Sequence, residues 1–249
     1  MSDAGTRPAK RARRLTPAQP ERVRRSNIDR SATTRRQILE ATVRCLGEHG
    51  YGAVTNNLVA EEAGVSRGAM MHHFPTRQHL LVATVEYALG KLNTYRLTEL
   101  SKLPPGLPRY RALIDLAWIT SRTPEGIATN EIRTGSRSEP EIRTALTPLM
   151  TRLSDDYGRL AGRLAREAGL VPTAEVHGLT ATAVLAARSL SINTFTYPRE
   201  QMIRNVLATL KNTREDIIAR QLGEHMAERP PQPAPAAARK RTRSRSRPD

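Results

Sequence analysis

Between residues 31 and 228 the sequence never sustains the apolar–polar alternation that a half-buried β-strand requires. Apolar residues recur instead at helical spacing. A chain patterned this way can bury its apolar stripes only helix on helix, so the expected fold is all-α. The first strong segment runs from about Thr33 to Glu48, with Ile38, Ala41, Thr42, Cys45 and Leu46 on one face and Gly50 as its stop. A second helix is predicted after Thr55, through "NNLVAEEA" to Gly64. A third follows Ser66, through "RGAMMHH" to Phe74, where Pro75 ends it. Thr55 and Ser66 are both residue types that cap helix N-termini. A fourth begins near Thr76 and runs to about Lys102, where Pro104, Pro105 and Gly106 break the chain. Five more are predicted at about 108–121, 124–135, 138–169, 173–194 and 199–226, separated by turn and capping signals. The expectation is nine helices and no strand.

Charge divides the chain further. The formal net charge is +16, and it is concentrated at the ends. Residues 1–30 carry nine Lys and Arg against three acids, and 227–249 carry seven against two, whereas 31–90 is balanced at five each. Both ends are poor in large apolar residues and rich in Pro, Arg, Ala or Ser, so 1–30 and 229–249 are expected to be disordered basic tails. The stretch between them divides into 31–82, with the short helices, and 83–228, long enough for a second core. Excess positive charge favours an acidic partner, nucleic acid first and an anionic membrane surface second. No apolar run reaches the roughly 18 residues that a spanning helix needs, so no membrane partner is expected. The basic N-terminus leads into no apolar stretch, so it is not expected to be a secretory signal. Cys45 is the one cysteine, which suits the reducing cytoplasm.

The stretch 55–77, "TNNLVAEEAGVSRGAMMHHFPTR", carries the functional signal. Two short helices joined by "AGVS" make a helix-turn-helix. Gly64 can adopt the left-handed backbone of the turn, Val65 plugs it, and Ala60 lets the helices approach. Val59, Ala63, Met70 and Phe74 form the buried side, which leaves the start of the third helix projecting, as a recognition helix must.

With "RRQILEATVRCLGEHGY" before it and "PTRQHLL" after it, this stretch resembles the TetR family of transcriptional regulators, closely over about 33–82. The resemblance implies an N-terminal three-helix DNA-binding domain followed by a helical regulatory and dimerisation domain. It implies that Arg67, Gly68 and Ala69 face base edges: arginine reads guanine, alanine touches a thymine methyl, and glycine admits the backbone. It places Thr55, His72, His73 and Arg77 near the DNA backbone, Thr55 aided by the amide groups that follow it. Where the family usually has tyrosine this chain has Met71, whose thioether cannot donate to phosphate: either that contact is lost, or Met71 makes an apolar contact at the base edges instead. The family pairs its last two helices across a two-fold axis. The implied partners are therefore a double-stranded operator, a second copy of the chain and a small-molecule effector, with no cofactor.

Other readings of these residues are weaker. His72 and His73 are neighbours about 100° apart on a helix and cannot readily chelate one metal. Cys45 on a buried face reads as packing, and Asp155–Asp156 as a solvated face. No nucleophile–base pair, metal-ligand cluster or phosphate loop is spaced for catalysis, so no enzymatic activity is expected. A non-specific architectural nucleic-acid binder, acting through the tails, is the alternative in another class. In the second domain Tyr95, Trp118, Met150, Tyr157, His177 and Phe195 are candidates to line an effector cavity, each equally readable as ordinary core. The face Leu179, Ala183, Ala186, Ala187 and Leu190, with Ile203, Val206, Leu207, Leu210, Ile217 and Ile218, is the candidate pairing surface.

Overall fold

The computed structural model describes residues 20–193 and 200–223, with side chains from Asp29 onward and without that of Asn193. Among these residues there are nine α-helices and no strand. They are α1 (Pro20–Ala53), α2 (Asn56–Glu62), α3 (Arg67–His73), α4 (Arg77–Ser101), α5 (Leu107–Ser121), α6 (Pro124–Gly135), α7 (Pro140–Glu167), α8 (Ala174–Asn193) and α9 (Glu200–Leu222), with a 3-10 turn at Ser136–Ser138. No described helix is long and apolar enough to cross a membrane.

Local chemistry explains most of these boundaries. The Thr55 hydroxyl accepts from Leu58 N at 3.2 Å, and Ser66 Oγ accepts from Ala69 N at 3.1 Å, so each cap satisfies an amide the helix cannot. Thr123 caps α6 in the same way, with Pro124 opening the helix. At Gly64, φ is 65°, Gly64 N donates to Glu61 O and Val65 N donates to Ala60 O. That paired closure uses the left-handed residue that glycine tolerates best.

One boundary departs from expectation. Helix α1 starts at Pro20 rather than near Thr33, so residues 20–30, expected to be disordered, are helical. Asp29 and Arg30, the residues of this stretch whose side chains are described, are exposed. Lengthening an already nucleated helix adds one hydrogen bond per residue fixed, and a proline at the first turn forfeits none. The helix breaks at Gly50, where φ is 71°. Residues 1–19 and the tail 229–249 lie outside the described residues.

The chain forms two compact units. The first comprises residues up to Thr98 together with Ile119–Ser154. Its core joins Ile38, Leu46, Val54, Val59, Met70, Phe74, Leu80, Leu81 and Val85 to Ile132, Ile142 and Leu146, so α6 and the start of α7 complete the core of the reading motif. The second comprises Glu99–Trp118 and residues from Asp155 onward. Its core holds Tyr110, Leu113, Leu116, Leu160, Leu164, Val176, Ile217 and Ile218, with a smaller cluster of Ile114, Ala183 and Leu210. The expected division at 82/83 is not the one that packing makes: residues 119–154 belong to the first unit.

Candidate nucleic-acid interface

The reading motif is anchored from below. Val59, Met70 and Phe74 are at most 2% exposed, and Ala60, the close-approach residue, is also buried. Asn56 Nδ2 donates to Phe74 O at 3.3 Å, tying the first residue of α2 to the end of α3. Arg44 pairs with Glu62 at 3.0 Å and braces α1 to α2. The Arg35 guanidinium lies 5.1 Å from the centre of the Phe74 ring, fixing α1 to the far end of α3.

With Met70 and Phe74 held inside, helical geometry turns Arg67 and Gly68 outward. Both are exposed and Ala69 is half-exposed. No described residue makes a hydrogen bond or ion pair with the Arg67 side chain, so its five donors remain for a ligand. Met71 is 43% exposed, and its sulfur sits 3.9 Å from Asn56 Nδ2. Thr55 is exposed, and its hydroxyl oxygen accepts the cap bond, which leaves the hydroxyl proton to donate. His72 is exposed. His73 is half-buried, and burial, then His72 and Arg35, lower its pKa and favour the neutral ring.

Arg77 is placed differently from the expectation. Its guanidinium donates to Val54 O, Tyr51 O, the Tyr51 hydroxyl and both Glu139 oxygens, and lies 4.3 Å from the centre of the Tyr51 ring. Arg77 is thus a clamp holding the 51–54 turn, at the entry to α2, onto α4 and the loop before α7. To hold a phosphate it would have to give up these bonds, each to a partly buried partner. Tyr51 is fixed further by Glu131, which accepts from its amide at 3.1 Å, and by Gly135, where an added Cβ would fall 2.1 Å from the ring. These bracing residues are missing from the sequence reading because their partners lie up to 80 residues away.

Of the six cavity candidates, the five described are divided between the two compact units. Tyr95 is exposed beside a groove of the first unit lined by Tyr87, Lys91 and Arg35. Met150 packs on the first core. Trp118 is half-buried and His177 exposed, both in the second unit. Tyr157 lines a small cavity in that unit, with Tyr110, Thr180 and Arg214. Phe195 lies outside the described residues. The candidates were chosen as large amphipathic side chains, and helical patterning does not say which of them face the same space.

The pairing face also has another use. Ala183, Ala187, Leu190, Leu210, Ile217 and Ile218 are buried within the chain's own second unit, whereas Leu185, Ile192 and Met202 are the exposed large apolar residues of α8 and the start of α9.

Two short capped helices, a left-handed glycine turn and an outward, unpaired arginine at the head of the second helix define a helix-turn-helix DNA-binding protein. Residues 38–84 match the family described as bacterial regulatory proteins, tetR family. The chain is 38% identical over 82 residues to the HTH-type transcriptional regulator CymR of Pseudomonas putida, a stretch covering 33% of this chain and 40% of that protein. It is 33% identical over 141 residues to the HTH-type transcriptional repressor AcnR of Corynebacterium efficiens, covering 56% of this chain and 69% of that one. A regulator from Saccharomonospora viridis, solved in complex with choline, shares the fold with a TM-score of 0.58 at 21% identity, over 74% of this chain and 96% of that one. This chain belongs to the TetR family of helix-turn-helix transcriptional regulators.

Proposed function

We propose that this chain is a homodimeric, sequence-specific DNA-binding repressor that leaves a pseudo-palindromic operator when a small molecule binds its second unit. The observation that carries the reading is the exposed edge of Arg67, Gly68 and Ala69, standing on a core that admits little rearrangement. An unpaired guanidinium there suits the bidentate reading of guanine, with Met71 and Ala69 supplying apolar contact to neighbouring thymine methyls. Thr55, His72 and His73 surround that edge as donors to phosphate, while Arg77 acts by positioning. Relatives regulate bacterial transcription, so this reading places the chain in the cytoplasm.

Pairing is supported by the exposed apolar residues Leu185, Ile192 and Met202. A two-fold dimer reads half-sites centred about 34–36 Å apart or a multiple of that. A ligand releases such a dimer only by favouring the conformation that fits DNA poorly. Helix α4 starts where the reading motif ends and has its last residues in the second unit, which makes it the candidate lever.

Selection of binding sites from random DNA tests this. One palindrome should dominate, and Arg67→Ala should weaken binding to it by about 1–3 kcal/mol, with preference relaxed at one base pair per half-site. Equal affinity for all duplexes would point instead to an architectural binder.

A further inference from the structure

Helix α1 begins at Pro20, and its first buried residue among those described is Ile38. With the α-helical rise per residue, the stretch between them is about 27 Å long. Asp29 to Thr33 are exposed, and the Thr33 hydroxyl bonds back to Asp29 O inside the helix. Arg30 makes no hydrogen bond or ion pair among the described residues. Arg35 ties the base of the stretch to the reading motif, with its guanidinium 5.1 Å from the centre of the Phe74 ring at the end of α3. The start of α1 therefore leaves the fold beside the recognition helix. The match to the tetR family begins at residue 38, so these residues lie ahead of it.

Residues 20–36 carry six arginines, Arg22, Arg24, Arg25, Arg30, Arg35 and Arg36, against two acids, Glu21 and Asp29. Arg36 has Glu40 at 3.9 Å, a weak and exposed pairing. Residues 31–90, by contrast, are balanced at five each. A neutral reading surface attracts a polyanion poorly, and the charge that can draw one stands at its edge. The large apolar residues of the stretch are Val23 and Ile28, too few to bury it in a core of its own. Like charges along one exposed helix repel, and a row of phosphates beside it removes that repulsion.

Resting on the proposal that α3 reads an operator, we propose that the start of α1, residues 20–36, is a second DNA-contacting element: a helical arm lying on the phosphates that flank the base pairs read by α3. A helix with its side chains is about 10–12 Å across and the minor groove about 6 Å wide, so a helical arm does not enter that groove. Its contacts are to the sugar–phosphate backbone. Such contacts add affinity for any duplex and leave base preference to α3. An unfolded basic arm would instead reach into the minor groove and favour A·T-rich flanks.

The full chain and two full-length variants are titrated on the selected operator and on a random duplex of equal length, at several salt concentrations. The first variant combines Arg22→Gln, Arg24→Gln, Arg25→Gln and Arg30→Gln, which removes charge but keeps good helix formers. The slope of log affinity against log salt should fall in magnitude by about 2–4 on both duplexes, since each lost phosphate contact removes about 0.9. Affinity should fall at least tenfold on both, with preference among single-base operator variants and among flanks unchanged. The second variant, Ser31→Pro, keeps every arginine and breaks the helix at the base of the arm. It should lose at least half as much slope as the first. Both should melt at the parent's temperature, because the arm stands outside the core. An unchanged slope in the first variant overturns the contact. Ser31→Pro binding like the parent, or a preference for A·T-rich flanks that disappears with the arginines, overturns a helical arm. A lower melting temperature means that the arm packs on the fold, which overturns it as well. If the parent prefers no operator, the repressor reading fails, while the slope on the random duplex still decides the arm.

Discussion

The two units solve the same packing problem with different materials. The first buries Ile38, Leu46, Met70, Phe74, Leu80 and Leu81 almost completely, and its large apolar residues are mostly spent inside. The second relies heavily on small residues, Ala161, Ala165, Ala168, Ala183 and Ala187. Both units bury polar side chains and leave some large apolar ones in water; the second differs in burying a charged group, Arg214, and in leaving Leu185 61% exposed. Large interdigitated side chains give a core with one arrangement. A core of small residues around a charged group has less to lose by rearranging. A surface that must hold base-reading groups steady needs the first kind, and a surface that responds to a ligand or a partner is better served by the second.

The largest expected effect sharpens this contrast. Phe74→Ala removes a fully buried ring that Arg35 covers, and should destabilise the first unit by about 3–5 kcal/mol and abolish operator binding. Chemical denaturation followed through the first unit measures it. A loss under about 1 kcal/mol would mean that this core is as adaptable as the other, and the comparison would break.

A smaller effect is expected on the exposed apolar stripe of the second unit. Leu185→Glu should leave the stability of the monomer within about 0.5 kcal/mol, since that position is open to water. It should weaken self-association by about 2 kcal/mol or more, since burying the carboxylate at an interface leaves it unpaired. Sedimentation at micromolar concentration distinguishes the variant, expected as monomer, from the parent, expected as dimer. A dimer that persists unchanged would place the pairing surface elsewhere.

The smallest effect concerns the clamp beneath the reading motif. Arg77→Gln should weaken operator binding about tenfold by loosening the entry to α2. The dependence of log affinity on log salt should keep its slope, because no phosphate contact is lost. A phosphate-binding arginine would instead reduce the slope by about 0.9 on substitution. Titrations at several salt concentrations separate the two roles.

Much of this molecule was legible from its sequence because the signals act over a few residues. Thr55, Ser66 and Thr123 find their amide partners three residues on, and Gly64 closes its turn within five. The outward position of Arg67 follows from helical periodicity once Met70 and Phe74 are seen to be core. Among the described residues, the number of helices, most of their boundaries after the first, the turn and the exposure of the start of α3 therefore needed no tertiary information.

The tertiary structure decided what depends on long-range partners. Whether Arg77 serves phosphate or clamps the fold turns on Glu139, 62 residues away, and on Tyr51. The pairing of Arg111 with Glu215 joins residues 104 apart. The small-residue face of α8 was correctly seen as apolar, but only packing showed that it fills this chain's own core and leaves Leu185 and Ile192 outside. The physical reason is the same in each case. A cap or a turn has one partner within reach, whereas 40 basic and 24 acidic side chains allow many pairings, and only the packed helices choose among them.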